Sequence, residues 1–160
     1  MSAGVDLTRL QWRALPFDAL TTSDLYRLLQ LRAAVFVVEQ NCAFQDVDGL
    51  DQQAVHLMGE VRGSTGEPSL LAYSRLLPVG TAFTEASIGR VVTSPMARGS
   101  GLGHVLMRES IETLHRLWNP QPIRIGAQAH LQSYYRQCGF EPQGDFYLED
   151  GIEHIEMLRA

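Results

Sequence analysis

Arg98-Gly99-Ser100-Gly101-Leu102-Gly103 is the segment whose residue types could do chemistry. A β-prone run, 88–93, precedes it, and a helical pattern, 102–118, follows. A glycine-rich turn between strand and helix presents backbone N–H groups that lack intrahelical partners, at the positive end of the helix dipole. Glycine permits positive φ and close approach of a ligand, and Arg98 adds a fixed positive charge. These features predict a phosphorylated ligand; an ordinary surface turn at a helix start is the alternative. A nucleoside-triphosphate loop needs Gly-Lys-Ser/Thr, but Gly103 is followed by His104 and Val105. A dinucleotide fingerprint needs glycine where His104 stands and an acid after the next strand, where 123–128 offers none.

Hydrophobic periodicity outlines the elements that position this loop. Residues 7–15 alternate as a first strand. Thr21, Thr22, Ser23 and Asp24 offer helix caps, and Leu25, Leu28, Leu29, Arg32, Val35 and Phe36 follow at helical spacing as far as Gln40-Asn41. Residues 44–53 form a loop carrying Asp46, Asp48 and Asp51. Strands 55–62 and 70–77 flank a turn at 63–66, and strand 86–94 ends at Pro95. Helix 102–118 places Leu106, Met107, Ile111 and Leu114 on one face and stops at Asn119-Pro120. Strand 123–128 reads as too apolar for a sheet edge, and helix 131–138 has Gly139 at its C′ position. Residues 146–148 and 152–158 flank Asp150-Gly151, a hairpin signal. The order predicts an α/β fold: one mixed, mostly antiparallel sheet with helices on both faces.

The chain has 160 residues, enough for one domain, 1–160, with a core that needs neither disulfides nor metal. A net charge of −5 without a block of basic residues argues against nucleic acid and suits a cationic or amine-bearing substrate. Cys42 and Cys138 form neither a disulfide framework nor a zinc spacing, and read as small apolar residues. No apolar run approaches the ~20 residues that span a membrane, and no targeting signal is visible, so the expected compartment is the cytoplasm. A homodimer is compatible with this composition.

Arg-x-x-Gly-x-Gly at 98–103 resembles the coenzyme A pyrophosphate loop of the GNAT acyltransferases. Val91-Val92-Thr93-Ser94-Pro95 resembles the strand whose backbone pairs with the pantetheine arm in that family. Tyr135-Arg136-Gln137-Cys138-Gly139-Phe140 resembles its Tyr-x-x-x-Gly-Phe segment. Residues 31–42, 45–49, 88–91 and 126–132 are similar to the ElaA-like branch, which extends the likeness over nearly the whole chain. Gln128 departs from the asparagine common at that position, and Leu131 from a small residue. The resemblance implies a sheet splayed near Val92, acetyl-CoA as acyl donor and an amine as acceptor. It implies coenzyme contacts from Val91, Val92, Thr93, Arg98, Gly99, Ser100, Gly101, Leu102, Gly103 and the Gln128 amide. No metal is required.

Acyl transfer to an amine needs a neutral amine, a polarised carbonyl and a proton for the departing thiolate. Tyr135 suits the last role, which the resemblance also implies. A backbone N–H at Val92 or Thr93 suits the second. Glu39, Glu85, His56 and His130 are candidate bases, either directly or through a water wire, with Glu39 and His130 favoured. Arg32 and Glu39 lie two α-helical turns apart, with Phe36 between them. They could line the acceptor pocket or form an ordinary ion pair. Asp46, Asp48 and Asp51 do not fit a calcium loop and read as caps or as attractors of an amine. An acyl-homoserine-lactone-type synthase, suggested by Arg32 to Phe36, and a non-catalytic coenzyme-binding or interaction module are the competing functions.

Overall fold

Thr21 starts the first helix as the sequence predicts. Its hydroxyl accepts from Asp24 N–H (3.0 Å), while the Asp24 carboxylate accepts from Thr21 N–H (3.1 Å), a reciprocal cap on α1 (Thr22–Arg32). The structure, a computed structural model, describes residues 6–64 and 66–160; Thr65, in the expected 63–66 turn, lies outside the described residues. The α-helix does not reach Gln40. Ala33–Glu39 winds as a π-helix, with Gln40 N–H on Val35 O and Cys42 N–H on Val37 O. A π turn takes up more residues than an α turn, so Arg32 and Glu39 do not share a face.

β1 (Gln11–Pro16), β2 (Val55–Val61), β3 (Ser69–Leu77) and β4 (Ser87–Thr93) form an antiparallel sheet in sequence order. The first strand starts later than expected because Leu7–Arg9 makes a 3-10 turn capped by Asp6. β5 (Ile123–Gln128), β6 (Glu141–Glu149) and β7 (Ile152–Arg159) form a second antiparallel sheet in the order β5-β7-β6. Asp150 and Gly151 join β6 to β7 with φ values of 51° and 76°, as the hairpin signal required. Among the described residues the two sheets meet at one parallel bridge, Ala86 to Ile123, where Arg124 N–H donates to Ala86 O (3.0 Å). Beyond it β4 and β5 diverge. β5 is therefore an edge strand, contrary to the reading from its apolar content. Its free edge lines the cleft between the sheets, and Ile123, Ile125 and Ala127 on one side of it are buried.

α1 and the π segment cover one face of the four-stranded sheet; Leu28 and Val35 pack there on Met58, Tyr73 and Val92. α2 (Leu102–Trp118) covers the opposite face, where Leu102 and Leu106 meet Leu57, Leu71 and Ala72. The same layer continues under the second sheet, where Met107, Ile111 and Leu114 join Ile125, Ile155, Met157, Tyr135 and Phe140. Tyr135 comes from the short helix α3 (Gln132–Gln137). No helix among the described residues is long and apolar enough to cross a membrane.

Candidate active site

The cleft opens where β4 gives way to α2. Ser94 accepts Met96 N–H in a turn over Pro95–Ala97. Gly99 and Gly101 follow at φ 80° and 81°, a region that side-chain-bearing residues rarely enter. Gly101 is the N-cap of α2 and has no side chain to satisfy the helix's first N–H groups. The first turn of α2 carries no acidic residue, so its positive end is uncompensated. Leu102 anchors the loop in the core, and Ser100 Oγ donates to Ala97 O. Tyr134 OH donates to Gly103 O (2.6 Å), pinning α3 to this turn. A Cβ at Gly103 would sit 3.7 Å from the Tyr134 ring, an ordinary contact. This cradle fits a pyrophosphate.

Ser94 N–H donates to Leu71 O (2.7 Å). Backbone groups alternate along a strand, so Val92 also faces β3, while Val91 and Thr93 turn N–H and C=O toward the cleft. Of the two residues considered for polarising a carbonyl, Thr93 has the free N–H. The β3–β4 register slips between Tyr73 and Arg75, and Arg90 bulges at φ 50°. The bulge bends β4 away from β5.

Across the cleft, α3 holds Tyr135, only 8% exposed, in edge contact with Tyr134 and Phe140. Gly139 ends the helix at φ 92°, and Phe140 N–H returns to Tyr135 O (3.1 Å). This reversal is why the Tyr-x-x-x-Gly-Phe spacing works. Burial pushes the Tyr135 pKa well up, with a smaller push from nearby Cys138, so its hydroxyl keeps its proton at neutral pH. At the open end of β5, Gln128 Nε2 lies 3.3 Å from Gln40 Oε1, so the π segment roofs the cleft. Glu39, also on that segment, pairs with Arg98 (2.6 Å) beside the glycine loop. His130 is exposed on the turn that follows β5.

Arg32 is not in an acceptor pocket. It is fully buried, bonded to Asp46 Oδ2 (3.0 Å), Asp51 Oδ1 (2.8 Å) and Asp46 O (2.9 Å). Arg75 holds Asp48 and Asp51, while Arg90 holds Asp46 and Asp48 and lies over the Phe44 ring. Three guanidiniums thus neutralise three carboxylates, and the loop offers no net negative field to an amine. It braces the Arg90 bulge instead. Burial works to raise the Asp48 pKa, but Arg75, the Leu50 amide and Arg90 outweigh it and hold Asp48 at about 2. Asp51 is held low against burial by Arg32 and Arg75. Phe36 packs on the core cluster beneath the π segment and is only partly exposed.

His56 is likewise sealed from solvent. Its Nε2 donates to Asp51 O (2.9 Å), so Nδ1 accepts from Tyr73 OH (2.7 Å). Burial pushes its pKa down, and no acceptor amine can reach it. Glu85 makes a two-pronged contact with Arg124 (2.9–3.1 Å), whose hydrogen bonds lower its pKa and make it a poor base.

Arg124 and Glu85 belong to an open groove of ≈ 730 Å³, which Phe83 and Glu156 also line. The groove lies on the side of the three-stranded sheet away from α2 and α3. Gly126 is central to this side: a Cβ there would come within 2.8 Å of Tyr147 OH and 3.9 Å of the Phe83 ring. The sequence reading passed over Phe83, Arg124, Tyr147 and Glu156. The signal was strict alternation in Ile123-Arg124-Ile125-Gly126-Ala127-Gln128, which marks a second, open face.

A model of the acetyltransferase (GNAT) domain matches residues 54–159. Protein ElaA of Escherichia coli is 45% identical over 152 residues, covering 94% of this chain and 96% of that protein. The crystal structure of E. coli ElaA superposes with a TM-score of 0.83, over 94% of this chain and 99% of ElaA. An acyl-CoA N-acyltransferase from Pseudomonas aeruginosa superposes equally well, at 47% identity and the same coverage. A splayed pair of sheets, an uncapped glycine-rich helix start and a buried tyrosine across the cleft are what these relationships lead one to look for, and the chain belongs to the GNAT acetyltransferase family, close to ElaA.

Proposed function

We propose that the protein transfers an acetyl group from acetyl-CoA to a primary amine, by direct attack of the amine on the thioester. The observation that carries this reading is the uncapped start of α2, with Gly99 and Gly101 at positive φ, opening beside the free edge of β4. The amides of 98–103 and the Arg98 guanidinium hold the pyrophosphate. Val91 and Thr93 pair with the pantetheine as an added strand would, and the Gln128 amide closes on it from β5. Thr93 N–H donates to the reacting carbonyl. Coenzyme A, when bound, supplies the activated acyl group. Tyr135 gives its proton to the departing sulfur.

The acyl-homoserine-lactone reading loses its motif, because Arg32 is inside the core. The test is turnover of acetyl-CoA with a panel of amines, read as free thiol. Gly101→Glu puts a side chain and a negative charge on the phosphate seat, and acetyl-CoA affinity falls by about 10²-fold or more, the worth of a charge-assisted hydrogen-bond pair. Tyr135→Phe keeps that affinity and lowers kcat by ~10²- to 10⁴-fold. Wild-type affinity in folded Gly101→Glu overturns the phosphate seat, and full activity in Tyr135→Phe overturns the acid.

A further inference from the structure

The face of the three-stranded sheet away from α2 and α3 carries a histidine, 8% exposed, that the coenzyme cleft does not use. His154 on β7 is in register with Gln128 on β5 and with Tyr147 on β6. Residues directly opposite in a sheet share a face. His154 therefore lies on the side of Gln128, opposite to Ala127 and Ile155, which pack in the layer that holds Tyr135.

Its Nδ1 is 2.7 Å from Ile152 O. A carbonyl can only accept, so the hydrogen is on Nδ1 and the lone pair on Nε2. Glu149 Oε2 stands 3.5 Å from Nε2, and the Tyr147 ring stacks on the imidazole at 5.7 Å. The backbone thus holds the tautomer, an aromatic ring holds the plane, and a carboxylate is ready for an imidazolium. Of the other candidate bases, His56 is sealed, Glu85 is held by Arg124, Glu39 lies beside the phosphate seat, and His130 is exposed on the turn after β5.

We propose that His154 Nε2 is the base that takes the proton from the acceptor amine, which approaches along the groove beside Phe83, Arg124 and Glu156. This rests on the acyltransfer reading above. Arg124, Gly126 and Gln128 share this face of β5, so it leads from Arg124 in the groove, past the Tyr147 hydroxyl that lies over Gly126, to Gln128 at the open end of the cleft. Glu85 and Glu156 against Arg124 leave the groove one negative charge in excess, which suits an acceptor arriving as an ammonium ion. One proton passes from that nitrogen to His154 and on to water. The nitrogen–carbon bond then forms as the carbon–sulfur bond breaks. The Tyr135 proton goes to sulfur, and the second proton leaving nitrogen restores the phenol. Acid and base act from opposite faces of the same sheet. The ionisable groups around His154 are Tyr147 and Glu149 on β6, Glu156 on its own strand, and exposed His130 on the adjoining turn; β5 presents uncharged Gln128.

His154→Asn separates the two roles of the ring, since its amide can still donate to Ile152 O while the lone pair is gone. Thiol release from acetyl-CoA with the amine panel is measured against pH for the wild type and H154N. The expected result is a kcat lower by ~10²-fold or more, loss of the limb in which kcat falls on acidification, and unchanged Tm and acetyl-CoA KM. Imidazole in solution restores part of the H154A rate. A structural histidine would instead lower Tm and leave the acid limb in place. Wild-type kcat with the acid limb intact in H154N overturns the base alone. If H154N does not fold, imidazole rescue of H154A decides, and absence of rescue overturns the base. A wild-type protein that binds acetyl-CoA and acylates no amine overturns the acyltransfer reading, and the base with it.

Discussion

Beneath the first helix, Arg32, Arg75 and Arg90 meet Asp46, Asp48 and Asp51; on the outer face of the three-stranded sheet, Arg124 meets Glu85 and Glu156. The first group is matched charge for charge, and Arg32, Asp46, Asp51 and Arg75 are each under a tenth exposed. The second is one cation short and open to solvent. Every basic residue here is an arginine, and the planar fork lets each bind two acids at once. The lesson is that acidic residues clustered in sequence are not a negative field until their partners are known. The cluster that looked like a lure for amines is a brace, and the excess charge is on the other sheet.

The largest effect should come from breaking the matched group. Arg32→Ala leaves Asp46 and Asp51 without a buried partner and should cost about 3–5 kcal/mol, read as a fall in Tm or in the denaturant midpoint. A variant as stable as wild type would mean that the network is not structural.

Acid should unpick the same network by titration. Asp48 and Asp51 have folded pKa values below their unfolded ones, so their contribution is complete above about pH 4 and is lost as the pH falls through the folded values, for Asp48 about 2. His56, also lowered, must stay neutral, so its share starts to fall below roughly pH 6.5. In each case the unfolded chain binds more protons than the folded one, and stability drops towards acid. Equilibrium unfolding at stepped pH should show a decline with two phases. A flat profile from neutral to pH 3 would contradict the network.

Glu85→Gln, on the open group, should have the smallest effect. Tm should be unchanged, since an exposed pair contributes little, while the KM of the acceptor amine should rise a few-fold as the groove loses its excess negative charge. A large fall in Tm would erase the contrast between the two groups.

Features governed by local backbone rules were legible in the sequence. The 98–103 loop, Tyr135 with Gly139 and Phe140, the Thr21–Asp24 cap and the Asp150-Gly151 hairpin are each set by a few adjacent residues. Pairings between distant residues were not. Nothing within residues 32–39 shows that Arg32 will find Asp46 and Asp51, or that Arg90 will find Asp46. The seven-residue spacing of Arg32 and Glu39 misled because it assumed α-helical winding where the chain is π-helical. β5 was misplaced for a related reason. Its apolar face is buried as predicted, but its free edge lies inside the molecule, where composition carries no sign of it.

The Ala86–Ile123 bridge has a mechanical consequence. Residues 11–93 complete one hydrogen-bonded ladder and residues 123–159 another, so each half of the chain is knitted locally. Among the described residues the halves are fastened to each other by α2, α3, side-chain pairs such as Glu85–Arg124, and a single backbone stitch. How far the seam gapes is then governed by soft side-chain packing and not by a row of backbone bonds. A molecule lying along the seam adds the missing stitches itself. Occupancy should therefore stiffen the whole body, with amide exchange slowing in β4 and β5 together.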